Sequence, residues 1–146
     1  MYSILQSLHS IFAYIVLFVL LIAVINAFAG WYGKKEFTMH KDLRISLYAL
    51  ILSHLQLLIG LVLYFISPLG LKSLQSTPIG EMSSEVRLLA LEHMSINILA
   101  IVVITIGWSR HKKLLESRRK FRSIALLYGS GLLLILSRIP WSQWFN

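Results

Sequence analysis

Leu5–Lys35 reads LQSLHSIFAYIVLFVLLIAVINAFAGWYGKK. From Leu5 to Trp31 it holds no Asp, Glu, Lys or Arg, and it closes on an aromatic pair followed by two lysines. At about 1.5 Å per residue such a run crosses a hydrocarbon core of about 30 Å, and the Trp-Tyr-Gly-Lys-Lys ending is that of a helix leaving a bilayer. Three further runs follow, Ile45–Ile66, Leu88–Trp108 and Ser123–Ile139, the last being the shortest. The whole chain agrees, since 57% of its 146 residues are hydrophobic and 14% are charged, with a mean hydropathy of +0.73. The expectation is an all-α, four-helix transmembrane bundle forming a single domain over residues 1–146, with up-down-up-down packing through short connections.

Charge orients the bundle. Lys34, Lys35, Lys41 and Arg44 cluster between the first two runs, and Arg110, Lys112, Lys113, Arg118, Arg119, Lys120 and Arg122 between the last two, eleven of the fourteen basic residues. The Ser67–Arg87 connection has only Lys72 and Arg87 beside Glu81 and Glu85. By the positive-inside rule both basic connections are cytoplasmic, so both termini and the Ser67–Arg87 loop face outward. Pro68, Gly70, Pro78 and Gly80 make that loop turn-rich, and it is long enough to cap the bundle. Met1–Ser10 has no basic residue before the apolar run, so the first span is expected to stay in the mature chain instead of acting as a signal peptide. The excess of positive charge, +8, therefore reports topology and anionic lipid, not nucleic acid.

Function classes narrow in the same way. With no cysteine, disulfides, thiolate metal sites and c-type haem attachment are excluded. No Gly-rich phosphate loop, nucleophile elbow or HExxH pattern supports a nucleotide-binding or hydrolase reading.

What remains is a set of ionisable residues inside apolar spans, where a charged group costs about 2.5 to 3.5 kcal/mol on insertion scales. His9, His54 and His93 sit on three different spans, whereas His40 and His111 fall in basic connections and read as solvated. A lone span histidine can simply bridge helices; three of them suggest that imidazoles from facing helices clamp a metal or haem iron. Spacing turns all three inward. His9, Ala13, Val16, Ala23, Ala27 and Gly30 form one stripe, His93, Asn97, Ala100 and Ile104 another, and Ser46, Ser53, His54, Leu57 and Gly60 a mixed face flanked by Gln56. Counted from Trp31, Arg44 and Trp108, His54 lies at about 15 Å, His93 at about 23 Å and His9 at about 33 Å. Depth favours His54 with His93, while His9 with His93 joins diagonal helices and leaves most room for a porphyrin; the sequence leaves the pairing open. Asn97, one turn from His93, can hydrogen-bond a ligand or a partner helix. Glu92 reads either as a support for an imidazole N–H or as an interfacial carboxylate. Arg138 reads either as a residue snorkelling to headgroups or as the partner of haem propionates.

The segments Leu8-His9-Ser10, Gly33–Thr38, His54–Pro68 (HLQLLIGLVLYFISP), Glu92-His93-Met94, Ala100–Lys113 and Leu132–Trp141 resemble a group of small four-span bacterial proteins, mainly from Bacteroidota, commonly labelled cytochrome b. The likeness covers nearly the whole chain and implies a b-type haem, with His9, His54 and Glu92-His93 in its motif segments. With a haem bound, the expectation is residence in the bacterial cytoplasmic membrane and electron exchange with a quinone or a partner redox protein. Unlike larger two-haem cytochromes b, the fourth span has no histidine, so one haem is expected. The cofactor site is then drawn from His9, His54, His93, Asn97, Arg138 and Glu92, with the bilayer and a second copy of the chain as further partners. Two other readings stay open: a copper or zinc site made by His9, His54 and His93 with Glu92 beside them, and a structural or assembly subunit whose histidines only bridge helices.

Overall fold

The computed structural model describes residues 2–144. Four long helices dominate: α1 (Tyr2–Tyr32), α2 (Met39–Ile66), α4 (Ser84–Lys113) and α5 (Ser117–Ser137), all long and apolar enough to cross a membrane. Short helices α3 (Leu71–Ser76) and α6 (Trp141–Trp144) lie at one end, and no strand occurs among the described residues. The chain is a multi-pass, all-α membrane protein.

The helices overrun the apolar segments, because backbone hydrogen bonding continues where the side chains turn polar. α4 runs on through Arg110–Lys113, and α5 starts in the basic run at Ser117 and stops at Ser137, so Ile139 lies past its end. Two π turns, Met39–Leu43 and Leu88–Glu92, open the second span and interrupt the start of α4. Each widens one turn and re-aims the side chains around it.

Around the bundle α1 packs on α2 and α5, and α4 packs on α5 and α2. Sequential neighbours therefore alternate in direction, and α1 faces α4 across the diagonal. In the half that carries the basic connections, the basic end, helices meet at glycines. A Cβ on Gly107 would lie 2.9 Å from the Leu127 Cβ, and one on Gly30 would lie 2.4 Å from the Phe121 ring, so these glycines set contacts that larger residues forbid. Leu20, Ala49, Ile104, Ile124, Ala125 and Tyr128 are fully buried there.

Apart from His111 Nε2, buried polar groups at this end are paired. The buried carboxylate of Asp42 accepts from the Asn26 amide at 2.8 Å and, on its other oxygen, from the Thr38 backbone N–H at 2.8 Å and hydroxyl at 2.9 Å. The Tyr128 hydroxyl donates to the Ser46 carbonyl at 2.9 Å.

One expectation is corrected. His111 is fully buried, not solvated, packed on Trp108 and Phe37 with ring centres 4.6 and 5.5 Å away. It belongs to the last turn of α4, over which the 33–38 segment folds when the Phe37 N–H donates to Ser117 Oγ at 3.0 Å. His40 is exposed as expected.

Candidate functional site

At the opposite end, which carries the first and last described residues and is here the terminal end, the four helices part around a cavity. It offers about 190 Å³ in which water-sized molecules can be centred. Its walls come from α1, α2 and α4, and the 67–70 segment and α6 close it, with Trp144 stacked on Tyr14 at 4.4 Å.

His9 and His93 meet in this cavity from the diagonal helices α1 and α4. Their ring centres are 6.3 Å apart and their planes cross at 81°. Two imidazoles on opposite sides of one metal, each bonded at about 2 Å, have ring centres roughly 6 Å apart. The separation also lies within the range of an edge-to-face ring contact, so the nitrogens carry the argument.

His93 Nδ1 is 2.7 Å from the Arg138 carbonyl oxygen. A carbonyl only accepts, so Nδ1 carries the proton of the neutral ring and Nε2 keeps its lone pair, the state in which a histidine ligates metal. Asn97 fastens the same residue through its amide, which donates to the His93 carbonyl at 2.6 Å. On the facing helix the Gln56 amide donates to the His9 carbonyl at 2.9 Å and stands 3.5 Å from His9 Nε2. Gly60 leaves room for the imidazole, since a Cβ there would sit 3.0 Å from His9 Cε1.

Three buried polar atoms on this wall have no hydrogen-bond partner: His9 Nδ1, Ser53 Oγ and Gln56 Oε1. Such atoms are costly to leave unpaired, about 1–3 kcal/mol each, and their clustering on one cavity points to something that occupies it. A flat, mainly apolar group held by two imidazoles fits this donor set and these walls.

The remaining residues of the expected site lie elsewhere. His54 does not line the cavity: Nδ1 donates to the Leu50 carbonyl at 2.8 Å and Nε2 faces Thr105 Oγ1 at 3.3 Å, a link between α2 and α4. Among the described residues no three His, Asp or Glu side chains converge on a metal position, so the His9, His54 and His93 triad is not assembled. Glu92 joins Arg87 at 3.0 Å and Arg138 at 3.2 Å. The Arg138 guanidinium is thus engaged by a carboxylate outside the cavity, and what Arg138 offers the site is its backbone oxygen.

The depth count misplaced the histidines because it took Trp108 as the end of the third span. α4 ends at Lys113, and counted from there His93 is about 30 Å from the basic end, against about 35 Å for His9 from Tyr32. Gln56 is the contributor that spacing marked only as a flank. A glutamine inside an apolar span, beside a small-residue stripe, was the available signal.

No protein-family model, curated protein or solved structure matches the chain.

Proposed function

We propose that the protein holds one b-type haem between His9 and His93 and exchanges electrons with a quinone or a partner redox protein in the bacterial cytoplasmic membrane. The observation that carries the reading is the pair of imidazoles from diagonal helices, 6.3 Å apart, one with its tautomer fixed by a carbonyl and the other with an unpaired buried nitrogen. The resemblance to four-span proteins labelled cytochrome b supports the same cofactor. When bound, haem supplies reversible one-electron chemistry at iron. The chain's own residues do the rest: the Arg138 carbonyl and Asn97 hold His93, Gln56 holds His9, and apolar side chains such as Val16, Leu17 and Ile101 wall the slot. The positive-inside rule puts the basic end in the cytoplasm and the cavity in the outer half of the membrane.

Protein purified from cells supplied with haem precursor should show a Soret band that shifts on dithionite reduction. His9→Ala and His93→Ala should each lower haem affinity more than about 100-fold, beyond the usual cost of losing a group that merely supports a ligand, whereas His54→Ala should stay within about threefold. A folded wild-type protein that binds no haem would refute the reading.

Topology has its own check. Cysteine at the exposed Gln75 should react with an impermeant maleimide in whole cells, and cysteine at Leu115, 96% exposed, only after lysis. The opposite pattern would invert the orientation.

A further inference from the structure

We propose that the acidic edge of the bound macrocycle points to the terminal end of the cavity, where the neutral donors Tyr2, Gln6, Ser67 and Gln143 hold it without any cation. The proposal rests on the haem reading and adds an orientation and a recognition set to it.

The cavity follows α1 from Leu17 to Tyr2, about 22 Å along the helix axis, and His9 lies near its middle. A ring held by His9 and His93 between diagonal helices would stand upright in the bundle. One edge then faces each end.

The two ends differ. Toward the basic end the slot is walled by Val16, Leu17 and Ile101, and below it Leu20, Ala49 and Ile104 leave no exposed surface. Its polar atoms at that depth are the neutral Ser53 and Gln56. A carboxylate placed there would lose its hydration with no charge to replace it, the costliest form of burial.

Toward the terminal end Tyr2 and Gln6 precede His9 by seven and three residues and so share its helix face. The Tyr2 hydroxyl is 3.3 Å from Ser67 Oγ, and Gln143 of α6 completes the rim. This end meets the membrane surface, where carboxylates keep part of their water.

No Lys or Arg lines the cavity among the described residues. The two arginines nearest it, Arg87 and Arg138, both send their guanidinium groups to Glu92, at 3.0 and 3.2 Å, and Arg138 also donates to the Ser137 carbonyl at 2.9 Å. Acid recognition therefore falls to neutral hydrogen bonds.

The test titrates the full-length apoprotein with haemin and with haemin dimethyl ester, whose acid groups are masked, and reads the Soret absorbance. In the double variants Tyr2→Phe with Ser67→Ala, and Gln6→Leu with Gln143→Leu, haemin affinity should fall by about 10- to 100-fold, the effect of losing hydrogen bonds to a charged group. Ester affinity should change less than about threefold, which also shows that the variants fold. Arg138→Gln should leave the haemin-to-ester ratio unchanged. An unaltered ratio in both double variants, or a ratio that collapses in Arg138→Gln, overturns the proposal while leaving the haem reading standing. Wild-type protein that binds neither compound overturns both.

Discussion

The two halves of the bundle solve the same problem differently. At the basic end helices close on glycine contacts, and the buried Asp42 carboxylate is saturated by Asn26 and Thr38. At the terminal end the same helices part, and His9 Nδ1, Ser53 Oγ and Gln56 Oε1 are buried with no partner. Lipid tails offer no hydrogen bonds, so such atoms depend on whatever fills the cavity. That the unpaired groups gather on one cavity, while most polar groups of the other half are paired, separates a scaffold from a site.

The sharpest way to break this contrast is to overpack each half. Gly107→Val forces methyls into Leu127, whose Cβ lies 2.9 Å from a single added carbon, and should lower unfolding stability in detergent by about 3 kcal/mol. Gly60→Ala adds a carbon 3.0 Å from His9 Cε1, where the ring can swing into open space; stability should change by less than about 1 kcal/mol while haem affinity drops. Equal stability losses for both variants would mean that the terminal half is as tightly packed as the basic half.

A smaller effect is expected from Asp42→Ala, which leaves the Asn26 amide and the Thr38 N–H without their acceptor. The cost should be about 2 kcal/mol by chemical unfolding, and Asp42→Asn should recover part of it. No loss would show that the pairing at the basic end is dispensable.

The smallest effect tests the exception. His111 is buried with its Nε2 unpaired, although it lies at the basic end. Its surroundings are the Trp108 and Phe37 rings, so the unpaired nitrogen is a cost without a partner in reach. His111→Phe gives up the bond from Nδ1 to the Trp108 carbonyl, 2.6 Å, but removes that burden, and stability should move by less than about 1 kcal/mol in either direction. A large loss would give His111 a role that its aromatic packing does not explain.

Sequence alone settled the class of the molecule and the faces of its helices. Apolar runs of membrane length, Trp-Lys boundaries and glycine or alanine stripes are local properties, and physics reads them locally: hydration decides what enters lipid, and 3.6-residue periodicity decides what shares a face. The inward placement of His9 and His93 followed from that spacing. Which histidines meet was decided by the tertiary structure, because the distance between side chains on different helices depends on where each helix ends and where its turns widen. α4 outruns its apolar segment to Lys113 and carries a π turn directly before His93, and neither feature is written in hydrophobicity. Arg138 shows the same limit: its position near the cavity was legible, but its engagement with Glu92 needed the ends of α4 and α5 brought side by side, since an ion pair is a property of two surfaces in contact and not of either sequence segment.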